Sequence, residues 1–443
     1  MSAPEAFIKR LNEYVATTAD EPSWIAARRQ AGAARFEALG FPTRRMEAWK
    51  YTDVSRIASS EFSLPNDAEL SAERFEALRL NSEAHRLVFV DGLLSETLSD
   101  LNELPEGVLV EPLSKALIND HEAVGGQLGR LTNVDFSPFA ALNTAFAHEG
   151  AVIRLAANKV VEKPIYLLFV SRANETPVMS HPRVLISAGA NSEATVIEHY
   201  IGEQDAANFT NVISEVLLDR NARLTHYKLQ EAGQGEFHVS SLHVDQSRDS
   251  NFTSHNLNLG GALVRNDLIA DLNGENAETA FWGLFFGQER QHIDNHTQVN
   301  HNSPRTYSNE NYKGILGGRA RGVFNGRVYI KRDAQQVRGY QSNANLLLSD
   351  RAEIDTKPEL EIYADDVQCS HGATTGQLDE NAVFALRARG IDDQTARGLL
   401  TLAFANEVME ATKLPEVAER VERAVAGKLP ERFNLEGLVE VSE

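Results

Sequence analysis

Thr195, Thr225, Thr253, Thr279 and Thr306 recur at intervals of 30, 28, 26 and 27 residues, each in or beside a strand-like segment that contains Asn or Ser. A near-constant period of roughly 20 to 50 residues is the mark of a solenoid, in which each coil buries its inner face against its neighbours. The chain around these threonines, from about Leu142 to Tyr363, has the matching texture. Segments such as "ATVIEHYIG", "NVISEVLLD", "RLTHYKLQ", "TAFWGLFFG" and "GVFNGRVYI" are rich in β-branched and aromatic residues, and turn residues separate them. A β-sandwich accommodates such strands too, and the repeats share little beyond the threonine. The spacing favours a parallel β-helix. The expectation is a mainly β protein with its β-helix core over 137–370, between an N-terminal helical or α+β domain (1–136) and a C-terminal helical domain (371–443).

Helical periodicity frames the core. Pro4 stands where a first helical turn accepts proline, and Phe7, Ile8, Leu11, Tyr14 and Val15 recur on one face. A second helix is predicted over about 23–39, with Ser23 as N-cap and Gly40 then Pro42 at its end. In the loop that follows, "GFPTRRMEAWKYTDV", Trp49 and Tyr51 are expected to pin the chain to the core. Past the β region, "DENAVFALRARG" offers Asp379 as N-cap and Gly390 as stop. Ala396, Leu399, Leu400, Ala403, Phe404 and Val408 then keep helical spacing, and Val417, Val421 and Val425 form one stripe. Three such helices either cap the solenoid's end or dock a partner.

A formal net charge of −20 makes the chain a poor non-specific ligand for nucleic acid, and no basic face with interleaved aromatics offsets it. No apolar run is long enough to span a membrane, and "MSAPEAFIKRLNEY" lacks a secretory apolar region, so a cytoplasmic location is expected. That reducing setting suits the single cysteine, Cys369. One thiol cannot form an internal disulfide or a zinc ribbon, nor hold an iron-sulfur cluster by itself. Two positions on stands His371. In extended backbone the two project to the same face with Cα atoms about 7 Å apart. Three readings are open: a metal or sulfur half-site completed by another chain, a Cys-His nucleophilic pair, or a small core thiol beside a structural histidine. The nucleophile lacks an orienting Asn or Asp that the sequence can place, and no oxyanion loop suggests itself.

Other candidates are weaker. Asp365 and Asp366 suggest the paired carboxylates of a β-helical carbohydrate-active enzyme, but adjacent strand residues point to opposite faces. His292 and His296 share a strand face at too great a separation to chelate one ion, and with His301 they read as hydrogen-bonding groups. Arg319, Arg321 and Arg327 form a basic island that suits an anion or a charged strand edge. No Walker A or dinucleotide fingerprint is present.

Taken together, "GFPTRRMEAWKYT", "LNTAFAHEG", "NHNSPRTYSNENYKGIL", "LRARGI" and the long block "YQSNANLLLSDRAEIDTKPELEIYADDVQCSHGATTGQLD" resemble the SufB/SufD family of the SUF iron-sulfur cluster assembly machinery. The resemblance covers most of the chain, and "HGATTGQLD" lies on the SufD side of the family. It implies a right-handed parallel β-helix and a scaffold that catalyses no covalent step. It also implies pairing with SufB through the β-helices, a homodimer when alone, and the ABC-type ATPase SufC on the C-terminal helices, which accounts for the missing P-loop. A transient iron-sulfur cluster would be shared with SufB, and none would be held tightly by this chain alone. The implied cluster-assembly residues are His371 and Cys369, with His371 opposite a cysteine of SufB. The SufC-docking candidates are Arg387, Arg389, Leu399, Leu400 and Phe404. The rival class, a carbohydrate-active enzyme, predicts a polar groove lined by carboxylates along the coil stack.

Overall fold

The computed structural model describes residues 3–17, 21–119, 121–204 and 206–429. Helices α1 (Ala3–Thr17) and α2 (Ser23–Leu39) bury Phe7, Leu11 and Phe36 in a cluster with Trp49 and Phe146. Trp49 also lies under the Arg265 guanidinium, 4.6 Å from its ring centroid, so it pins the loop as expected. Gly40 ends α2 at φ 63, its amide on the Phe36 carbonyl at 2.8 Å. Ser23, however, is the first residue of the helix; Pro22 holds the cap position and no side chain caps it. Helices α3 (Ser55–Ser59) and α4 (Ala72–Leu78) lead to strands β1 (His85–Val90), β2 (Leu93–Leu94) and β3 (Val108–Pro112). Then come α5 (Leu113–Asn119), α6 (His121–Gln127) and α7 (Pro138–Phe146), completing an α+β segment. Leu142 therefore lies inside a helix, not at the onset of the strands. Ser137 caps α7 by accepting from the Ala140 amide, and Pro138 presets its first turn.

From Gly150 the chain winds as a solenoid. Its strands are β4 (Gly150–Leu155), β5 (Ile165–Ser171), β6 (Met179–Ser180), β7 (Arg183–Ala188), β8 (Glu193–Gly202), β9 (Phe209–Leu218), β10 (Arg223–Glu231) and β11 (Phe237–Gln246). They continue as β12 (Asn251–Asn258), β13 (Leu263–Leu272), β14 (Glu278–Gly287), β15 (His292–His301), β16 (Tyr307–Leu316), β17 (Arg321–Ile330), β18 (Val337–Leu347), β19 (Glu353–Ile362) and β20 (Val367–Gly376). Each coil gives one strand to each of two sheets, ordered β2-β1-β5-β8-β10-β12-β14-β16-β18-β20 and β19-β17-β15-β13-β11-β9-β7-β4-β3. Apart from the β1–β2 and β3–β4 pairs, the ladders are parallel and in register. This is the expected parallel β-helix with helical regions on both sides.

The threonine period is half right. Thr195, Thr225 and Thr253 stand opposite one another in β8, β10 and β12 and face outward. Thr253 then pairs with Ala280, so Thr279 is one position out of register and buried, and Thr306 precedes β16 and is buried too. One residue of slip moves a strand side chain to the other face. A second repeat, constant in conformation, sits at the corners, where Asn158, Asn191, Asn221, Asp249 and Asn276 all take φ between 55 and 65. Asn and Asp tolerate this left-handed conformation. Successive side chains are bonded, Asn191 Nδ2 to Asn158 Oδ1 at 2.8 Å and Asn221 Nδ2 to Asn191 Oδ1 at 3.0 Å.

Helix α8 (Glu380–Arg387) is capped by Asp379, α9 (Asp393–Met409) by Asp392, and α10 (Pro415–Gly427) follows. Val417, Val421 and Val425 are buried against Tyr227, Leu229 and Leu257 on the outside of the first sheet. Burying each valine contributes about 1.5–3 kcal/mol. α9 lies over β14 and β16. These two helices thus flank the solenoid and leave its end uncapped: β20 and β19 are the outermost strands of their sheets. Among the described residues no helix is long and apolar enough to cross a membrane.

Candidate functional site at the open end of the solenoid

The site is built by register. β18 carries Gly339 and Gln341 at inward positions, and β20 places Cys369 and His371 directly beyond them. In β16 the same rungs hold Ser308 and Glu310. Coil after coil these inward positions are buried, but among the described residues no further strand covers β20; Cys369 is half-buried and His371 exposed. The extended backbone expected at 369–371 is present, and the thiol and imidazole share one face. Cys369, like Leu360 and Val367, packs against the buried cluster of Val328, Ile330, Ala334, Val337 and Ala364. A β-carbon at Gly339 would meet Sγ at 3.5 Å, an ordinary contact, so the thiol lies directly against β18.

Burial pushes the Cys369 thiol up, against the opposing hydrogen bond from the Gly339 backbone. An activated nucleophile needs the reverse. What remains is one sulfur and one imidazole donor, of types suited to iron and sulfur but short of the roughly four ligands a cluster takes. Among the described residues there is no group of three or more His, Cys, Asp and Glu able to hold a metal ion. Beneath the pair, the solenoid interior is polar. Glu310 accepts from Thr297 and Gln341, and Asn343 accepts from Thr356 Oγ1 at 2.8 Å.

The remaining candidates disperse. Asp365 and Asp366 lie in the turn before β20, both exposed, so the strand alternation expected of them does not apply. His292 bonds Thr52 Oγ1 at 2.8 Å, His296 contacts Asp294 at 3.1 Å, and His301 is held between Thr306 and Ser308 at 2.7 and 2.9 Å. In the basic island, Arg321 pairs with Asp355 at 2.8 Å and Arg327 with Glu361 at 2.7 Å across β17 and β19. Arg265 likewise ties Asp267 and Asp294 at 2.7 and 2.6 Å. The carboxylates of this outward face are engaged, unlike the free pair a glycosidase uses.

Arg387 and Arg389 are exposed at the end of α8, and Leu399 and Leu400 are half-buried on α9. Phe404 is half-buried too, but beneath the Lys313 ammonium at 4.5 Å and against the solenoid flank. Sequence reasoning missed Phe384, 72% exposed on α8, because the stripe chosen lay on α9. It also missed Gln341 and Glu310, whose proximity to His371 appears only once the strands are stacked.

Comparison with known proteins follows the same outline. The family described as the SUF system FeS cluster assembly, SufBD core domain matches residues 169–404, and the SufBD protein N-terminal region matches residues 3–167. The chain is 34% identical to an iron-sulfur cluster assembly SufBD family protein of Synechocystis sp., covering 95% of this chain and 94% of that one. It is 34% identical to the iron-sulfur cluster assembly protein SufD of Escherichia coli, over 88% and 90% of the two chains. Similarity to the SufD of Bacillus subtilis is 24% identity over 97% and 98%.

Proposed function

Because the chain belongs to the SufBD family and is related specifically to SufD, we propose that it is a non-catalytic scaffold subunit that helps assemble iron-sulfur clusters by lending ligands to a site completed by another chain. The observation that carries this reading is the position of Cys369 and His371: same face, outermost strand, uncovered end. Two donors form half a site, and the bare edge of β20 is the place where a second β-solenoid can continue the ladder. The partner of that chemistry is a SufB-type subunit presenting its own cysteine. His371 is the proposed cluster ligand, with Cys369 beside it, and the transient cluster belongs to both chains. Alone, the same edge would pair two copies of this chain.

The C-terminal helices α8–α10, beyond the end of β20 at Gly376, are the proposed dock for a SufC-type ATPase. Their exposed Arg387 and Arg389, with Leu399 and Leu400, offer charge and apolar contact away from the solenoid. Nucleotide-driven closure of two ATPases would twist the paired scaffolds and open the shared interface to iron and sulfide. The domain division at 1–136, 137–370 and 371–443 and a cytoplasmic location belong to this proposal; residues 430–443 lie outside the described residues. The test is co-expression with SufB- and SufC-type partners from one source and mass measurement of the intact complex. A chain that remains apart from both partners overturns the proposal.

A further inference from the structure

The rung that ends in His371 carries an unmet acceptor one coil deeper. Glu310, Gln341 and His371 occupy one register position in β16, β18 and β20. Glu310 is buried and accepts from Thr297 and from Gln341 Nε2, the latter at 3.3 Å. That bond sets the sense of the amide: its NH2 is committed to the interior carboxylate, which leaves Oε1 for another donor. Oε1 is itself buried and has no hydrogen-bond partner among the described residues. Such orphaned acceptors are rare in folded proteins. The next side chain along the rung is His371, one strand away at about 4.8 Å, and an imidazole N–H is a suitable donor. On the facing sheet Gly326 keeps the amide's space clear, since a β-carbon there would lie 2.2 Å from Gln341 Nε2.

We infer that Gln341 is a positioning residue for His371. Its Oε1 accepts the N–H of one ring nitrogen and thereby selects the tautomer whose other, unprotonated nitrogen faces out of the open end. Metal-binding imidazoles are oriented in this manner by carbonyl or carboxylate acceptors. The functional consequence rests on His371 being a ligand as proposed above; the contact itself does not.

The experiment uses the full chain labelled with 15N-histidine, at about pH 8, where an ordinary imidazole is neutral. Long-range proton–nitrogen spectra report the tautomer of each ring, and His371→Gln identifies the signals. In the wild-type chain one tautomer of His371 should dominate. Gln341→Leu removes the acceptor and Gly326→Ala displaces it with its chemistry intact; both should admit the second tautomer and change the ratio at least threefold. In the co-expressed complex, Gln341→Leu should lower cluster iron by about tenfold, the range seen when a ligand loses its hydrogen-bonded support. A His371 tautomer ratio identical in the wild type and Gln341→Leu overturns the inference, whatever the cluster yield. A shifted ratio combined with full cluster yield in His371→Ala leaves the contact standing and overturns the ligand reading instead.

Discussion

Arg420 on α10 holds the carboxylate of Glu231 at the end of β10, Nε to Oε2 at 2.9 Å, and His199 Nε2 meets the same oxygen at 2.9 Å. The pair fastens the last helix to the solenoid beside the valine stripe. Burial alone would raise the Glu231 carboxyl, but His199 and Arg420 outweigh it and hold it below the usual range. A depressed carboxyl stabilises above its unfolded value of about 4.3, and that stability is lost as pH falls through the lower folded value. Acid should therefore loosen α10 as the pH falls below about 4. Arg420→Ala should cost about 1–2 kcal/mol, the scale of a partly exposed charged hydrogen bond. Hydrogen exchange over 415–427 should rise in the variant and, below about pH 4, in the wild type.

Glu236 is the opposite case. Burial pushes its carboxyl up to about 8, against hydrogen bonds from Ser171 and the Gly233 amide, with Asp91 raising it further. A raised carboxyl is most stabilising when protonated, below its unfolded value, and its contribution declines as pH rises toward the folded value. Glu236→Gln should raise the unfolding free energy read from urea titration at pH 8 by roughly 1–3 kcal/mol, and change it little at pH 4. Equal effects at both pH values would contradict the assignment.

His371→Ala should leave circular dichroism unchanged, since the imidazole is exposed at an uncovered strand. Iron and sulfide in the purified complex should fall by at least tenfold. Wild-type content would remove His371 from the site.

The ATPase dock is better tested by point changes than by truncation. Removing residues from Asp392 onward would bare Tyr227, Leu257, Leu284 and Ile315 along the flank, an apolar stripe that α9 and α10 now cover. That truncated chain should aggregate. Phe384→Ala with Arg389→Glu alters only exposed positions on α8 and in the turn after it, so it should weaken the proposed ATPase capture at least tenfold while the melting temperature holds.

Cys369 should alkylate slowly in the free chain, because its thiol is half-buried and its pKa raised. In the complex it should be shielded further. Mass-spectrometric labelling of both states, with and without ATP, measures the difference, and equal rates would place the thiol away from the interface.

The coil repeat was legible from Thr195, Thr225 and Thr253 because outward threonines suit a half-exposed strand surface. It slipped at Thr279 because corners of differing length shift the strand by one residue, which the sequence period alone does not reveal. The Asn158–Asn191–Asn221 corners were the truer signal, passed over because isolated asparagines read as generic turn residues. Caps were readable where a side chain does the capping, as at Asp379, and misread where proline sets the turn, as at Ser23. The Cys369–His371 pair could be read from spacing because both belong to one strand. The support beneath it, Gln341 and Glu310, comes from strands about 30 residues apart and becomes a neighbour only through tertiary register.

The two strands that finish the solenoid are guarded unequally. β19 turns Glu353, Asp355, Lys357, Glu359 and Glu361 outward and carries Pro358, the features by which natural sheets repel stray pairing. β20 spans "VQCSHGATTG", with no acidic side chain, no lysine or arginine and no proline. By itself the chain thus carries ten residues of unguarded strand edge beside its half-buried thiol. On the proposed pairing, matched supply of the two subunits would serve solubility as well as assembly, and the chain made by itself should cover this edge by pairing with a second copy.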